Sequence, residues 1–311
     1  MSSSIFLVIN AILCAGLQTI ALYSRPPSSS TVLNDLLATR GSNLVFESTV
    51  QLYSIMLLFA LDECSHVTIR KPLVLLFCAC TIFVGPCAPL CILYAYLLRC
   101  PPREEADPSF VFFALILVAI IYGVFLGVMP SVCSDGSCPD PFILHSVRWV
   151  PVLMIPVPIL FFQFPKGSGI LLPKIVSSLL LLIYLIIGAH AFVTHTREFE
   201  DASEANVLIQ QIMNESLATG ASRFLFINFV HLTLASAVLI GESRTLRGAV
   251  GVMSLGVTMV GPAASFAFFA GLERFLILRK LHEVPKKREE VVEHNASIQD
   301  SKAPGRLFDD Q

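Results

Sequence analysis

The sequence predicts an all-α protein, a polytopic membrane bundle of about eight transmembrane helices. Three observations carry that reading. Hydrophobic residues make up 55% of the chain and charged residues only 14%, a composition far from that of an ordinary soluble domain. Runs of about 20 apolar residues recur along the chain, each long enough to cross a hydrocarbon core roughly 30 Å thick. Lipid leaves backbone polar groups without water, so each such run has to be helical.

The expected spans lie near 5–23, 43–62, 72–98, 109–130, 142–164, 171–194, 223–241 and 249–278. The first is read as a retained helix rather than a cleaved leader, because no basic residue precedes it. Glu47 and Gln51 lie inside the second. Pro151, Pro156 and Pro158 lie inside the fifth and should kink or break it. Between the sixth and seventh spans, residues 201–220 are expected to form an amphipathic helix on the membrane surface, with Ala205, Leu208, Ile209 and Ile212 on one face and Gly220 as its cap. Residues 1–280 thus form the bundle, and 281–311 a disordered polar tail.

Orientation signals conflict. Arg279, Lys280, Lys286, Lys287 and Arg288 place the tail in the cytoplasm by the positive-inside rule. The loop 131–141 lacks Lys and Arg and carries Cys133 and Cys138, which suits the lumenal side. Both cannot hold with eight spans. The endoplasmic reticulum is the expected membrane.

A faint repeat joins the two ends of the chain. Thr68, Ile69 and Arg70 match Thr245, Leu246 and Arg247, and Val84, Gly85 and Pro86 match Val260, Gly261 and Pro262. Arg99 and Arg274 follow at similar distances. An odd number of spans separates the copies, so the repeat is expected to be inverted, a plan used by transporters.

Ionisable groups in the hydrocarbon zone are costly and usually mark a site. Glu47, Gln51, Ser54, Leu58 and Asp62 share one face of the second span. Glu47 is the first candidate for a proton donor. Asp62 and Glu63 read either as site acids or as solvated residues at the helix end. The seventh span carries Asn228 and His231, the latter either catalytic or a hydrogen-bonded packing residue. His145, Arg148 and Trp149 lie together on the fifth span, with Glu47, Asp62 and Glu273 as acids able to pair with Arg148. Arg274 is expected to snorkel to the interface.

Several chemistries find no motif. No clustered aspartates for magnesium diphosphate, P-loop, HExxH, GxSxG or paired C-x-x-C is present, so no metal or other cofactor is expected. Nothing calls for nucleic acid. What remains is an acid held among aromatic faces, suited to protonating an alkene or epoxide and steering the resulting carbocation. Glu47, Asp62, Glu63 and His231 are the candidate catalytic residues. Gln51, Tyr53, Asn228, Trp149, Arg148 and Glu273 are the candidate substrate contacts.

In length, span layout, Glu47, Asp62 and Glu63 in membrane helices, and the Gly85-Pro86 and Gly261-Pro262 segments, the chain resembles the small membrane-bound terpene cyclases of fungal meroterpenoid pathways, of the ascofuranone and ascochlorin type. That resemblance implies an isomerase acting, without a metal, on a lipophilic prenylated aromatic substrate bearing a terminal epoxide. It transfers no catalytic residue. The competing expectations are a small-molecule or ion transporter, which would use the same charges and the repeat, and an accessory membrane protein without chemistry.

Overall fold

A computed structural model describes residues 2–24, 40–67, 72–73, 76, 80, 85, 87–101, 111, 171–200, 205–218, 220–242 and 261–280. Within them the chain is helical, without strands. The helices are α1 (Ser3–Ser24), α2 (Arg40–His66), α3 (Cys87–Leu97), α4 (Leu171–Glu200), α5 (Ala205–Ser216), α6 (Gly220–Glu242) and α7 (262–280). Four of these, α1, α2, α4 and α6, are long and apolar enough to cross a membrane. They coincide with the first, second, sixth and seventh expected spans. The fourth span (Val111 apart), the fifth span with Arg148 and Trp149, the Cys133–Cys138 loop and the tail lie outside the described residues.

Burial ranks the helices. The apolar window of α2 is 71% buried against 39% for α1 and 28% for α4, so α2 is central and the other two are peripheral. On α1, Leu7, Ala11 and Cys14 face inward while Ile5, Ile9, Ile12, Leu13 and Ile20 are exposed. Such an apolar outer ridge suits lipid and would be a liability in water. Polar side chains on these helices bond back to their own backbone: Thr49 donates to the Val45 carbonyl at 2.6 Å, Ser54 to Val50 at 2.7 Å and Thr233 to Phe229 at 2.8 Å. Ser54, part of the expected polar stripe, is satisfied this way.

Helix directions follow from which residues meet. Ser3 donates to Glu242 and Asn10 bonds His231, so α1 and α6 are antiparallel. Arg99 reaches Ser4, and Gly85 lies beside Gln18, so α1 and α3 are antiparallel as well. Phe46 clusters with Leu225, and Phe59 lies beside Leu239 and Ile240, so α2 and α6 run the same way. In the second half Tyr184 lies against Gly271 and His195 against Gly261, making α4 and α7 antiparallel. Phe59 meets Phe266 edge to face and Asp62 pairs with Arg274, so α7 runs with α2.

Two corrections result. First, the helix order α1, α2, α3 recurs as α4, α6, α7 with the same directions, so the repeat is parallel and not inverted. Its register is tight. Gln18 and His195 hold matching places beside Gly85 and Gly261, and both glycines have positive φ, 88° and 83°. The buried faces of α3 and α7 correspond too: Cys87, Leu90 and Cys91 match Ala263, Phe266 and Ala267. Second, α2 and α3 both end at the Ser4 end of the bundle, as do α6 and α7. The described helices α3 and α7 therefore begin at the far end, beside Gly85 and Gly261, and of the eight expected spans the described residues show four long apolar helices. At the start of each of these two helices stands a glycine in the left-handed region, which a residue with a Cβ rarely adopts.

An alanine at Gly85 would cost about 1–2 kcal/mol for its φ alone, and its Cβ would sit 2.7 Å from the Phe224 ring. Thermal unfolding in detergent should show Gly85→Ala clearly destabilised. Gly16→Ala is the control: nothing lies within 4 Å of its added Cβ, so it should gain about 0.5–1 kcal/mol from helix propensity.

The amphipathic segment forms α5, in which Ile212 packs toward Val45, Phe46 and Leu225 while Ile209, Met213 and Leu217 stay exposed. Gly220 opens α6 instead of capping α5. The corner is closed by Arg223, which donates to the Leu217 carbonyl at 2.8 Å.

Candidate functional site

At the Ser4 end, α2, α6 and α7 enclose a small cleft lined by Phe59, Leu239, Ile240, Phe266, Phe269, Ala270 and Glu273. Its aromatic wall is ordered: Phe59 and Phe266 meet edge to face at 5.7 Å, and Phe59 lies 6.3 Å from Tyr94. Glu273 is the one carboxylate among the lining residues. Glu63, half-buried on the last turns of α2, is near enough for its charge to interact with that of Glu273. Neither is a solvated end-of-helix acid.

Asp62 and Arg274 form a buried ion pair beside this cleft, with side chains 2% and 3% exposed. Arg274 therefore does not snorkel. Its direction along α7, four residues past Ala270 on the same face, aims it at α2 instead of the interface. A carboxylate held by a guanidinium is a poor proton donor, so Asp62 is better suited to positioning its neighbours. The arginine of the second half thus meets the acid of the first half across the duplication.

Two buried tyrosines complete the cluster. Tyr94 donates to the Met56 carbonyl, tying α3 to α2. Tyr184 is fully buried, interacts electrostatically with Glu63 and Glu273, and its hydroxyl has no hydrogen-bond partner among the described residues. Tyr184, Phe59 and Phe269 were not singled out from the sequence. Only the coincidence of α4, α2 and α7 in space brings them to the acids.

The remaining sequence candidates separate from this cluster. Glu47 stands on α2 about 24 Å along the helix from Glu63, at 1.5 Å per residue, and its side chain lies outside the described residues. Gln51 is half-buried and Tyr53 is buried on the same helix. His231 and Asn10 bond twice, Nδ1 to Oδ1 at 2.6 Å and Asn10 Nδ2 to the His231 carbonyl at 3.0 Å, a tie between α1 and α6. That is the packing role. Asn228 accepts from the Cys87 backbone N–H at 3.2 Å, capping α3, and donates to the Phe224 carbonyl at 2.8 Å. Its polarity is used by the helix break itself.

Among the described residues no group of three or more His, Cys, Asp or Glu side chains could hold a metal ion. Comparison with known proteins yields no matching family model, no matching curated protein and no matching solved structure.

Proposed function

We propose that the chain is a membrane-embedded cyclase that protonates a prenylated substrate and folds the resulting cation into rings. The observation that carries this reading is the placement of Glu273, with Glu63 close by, at a cleft walled by Phe59, Phe266 and Phe269. In the proposed step, whichever of the two acids holds a proton gives it to the oxygen of a terminal epoxide. The C–O bond opens, the electron pair stays on oxygen as a hydroxyl, and a tertiary cation forms. The next alkene attacks that cation, moving the charge along the chain. Loss of a proton to a carboxylate ends the cascade, so substrate and product are isomers. Phenyl faces attract the moving charge and the greasy walls exclude water that would quench it.

Asp62, paired with Arg274, would hold α2 against α7 and so position Glu63 and Glu273 at the cleft. This reading shifts the donor role from Glu47 to the opposite end of α2. The endoplasmic reticulum remains the proposed membrane. The test is direct. Microsomes carrying the protein are incubated with a phenol bearing an epoxidised farnesyl chain, and a new product of unchanged mass is sought. Its absence, with the protein inserted and folded, would remove the cyclase reading.

One observation favours a second reading. Parallel repeats, each with a glycine break, are a transporter plan. A carrier would move an unaltered substrate into sealed proteoliposomes, whereas a cyclase needs no closed compartment.

A further inference from the structure

Gln18 is the least explained polar group of the bundle. Its side chain is 3% exposed, and neither its amide nitrogen nor its oxygen has a hydrogen-bond partner among the described residues. It is presented to the turn that opens α3, where a Cβ added to Gly85 would lie 3.3 Å from Gln18 Nε2, 3.2 Å from Asn228 Oδ1 and 2.7 Å from the Phe224 ring. A buried amide left without partners is costly in apolar surroundings, and buried polar groups are almost always bonded to something.

The neighbours narrow what that something is. Cys14 and Cys87 are buried and free, Phe224 is apolar, and Asn228 already occupies the first amide of α3. None of these carries a charge, so the described neighbours offer an ion no counter-charge. A primary amide offers one donor side and one acceptor side, which together fit a group that is both acceptor and donor at a single atom. A hydroxyl is such a group. At the matching place in the second half His195 stands beside Gly261, its Nδ1 3.1 Å from the added Cβ.

We infer that the turn between Gln18 and Gly85 binds the hydroxyl of a neutral lipophilic molecule. The identity of that molecule as a prenylated phenol rests on the cyclase reading. Gln18 lies at the opposite end of α3 from the acid cleft, about 18 Å away along the helix.

The test uses the full chain in lipid nanodiscs and tritiated 3-farnesylphenol, its O-methyl ether, and cholesterol as competitor. The wild-type protein should bind the phenol at least tenfold more tightly than the ether, which can accept but not donate. Gln18→Leu should abolish that preference and unfold at a higher temperature, since an unsatisfied amide has been removed. Gly16→Ala, whose added Cβ meets nothing within 4 Å, should bind as the wild type does. Displacement by cholesterol that depends on Gln18 keeps the hydroxyl site and gives it to a sterol. Equal binding of phenol and ether by the wild type, or a preference that survives Gln18→Leu, overturns the proposal. A protein that binds through Gln18 but never converts the epoxide sinks the cyclase reading and leaves this site standing.

Discussion

Arg274→Met should be among the most destabilising single changes in the described bundle, by about 3–5 kcal/mol, because it removes the guanidinium that faces the buried Asp62 carboxylate. The pair is almost wholly enclosed, with both side chains no more than 3% exposed. Screening by solvent therefore does little to soften the loss. Asp62→Leu should be nearly as harmful, since it leaves a guanidinium in the same place. The double variant Asp62→Leu/Arg274→Met should recover most of the stability, as apolar replacements of buried ion pairs commonly do. Denaturant titration of the four proteins in micelles gives the coupling energy between the two sites. Additive losses, with no recovery in the double variant, would mean that the two side chains are not partners.

Glu273→Gln should lower turnover of the epoxide by a factor on the order of 10²–10⁴, the range general-acid catalysis contributes, while leaving insertion and thermal stability near wild type. Glutamine keeps the size and hydrogen-bonding of the acid but has no proton to give. Glu63→Gln should fall in the same range if Glu63 and Glu273 act in one proton transfer, and the double variant should then be no worse than either single one. Glu47→Gln is the informative contrast. Its position, about 24 Å from Glu63 along α2, keeps it out of the same proton transfer, so it should retain turnover. Loss of activity in Glu47→Gln together with full activity in Glu273→Gln would return the donor role to the other end of the helix.

Much of the secondary structure was legible in the residues. The apolar runs at 5–23, 43–62, 171–194 and 223–241 correspond to the four long apolar helices, because in lipid a continuous apolar run has no alternative to a helix. The sequence also drew attention to Glu47, Asp62, Glu63 and Glu273 by the cost of placing charge in such runs; the structure brings the last three to one end of the bundle. What hydropathy could not register was a turn inside a run. Gly85 and Gly261, each followed by a proline, sit in otherwise apolar stretches, so hydropathy runs across them, and helix direction had to come from the contacts of α3 and α7.

The site was half legible for a related reason. A polar stripe along α2 groups Glu47 with Asp62 by helical phase, although they lie at opposite ends of the helix. Phase says which residues share a face and says nothing of which neighbour covers each turn. Arg274 was read as an anchor because long cations near a helix end normally reach outward; here α2 supplies the carboxylate that holds it inside.

The sequence by itself determined that this chain is helical, that its surface is suited to lipid, and which few carboxylates are expensive enough to matter. Those are consequences of local composition, and composition is carried residue by residue. Only the tertiary structure decided that the two halves run in the same direction, that Asp62 belongs to Arg274, and that Glu63 meets Glu273 beside Phe59 and Phe266. These pairings join residues far apart in the chain, and they depend on two left-handed glycines whose effect on direction no hydrophobic pattern contains.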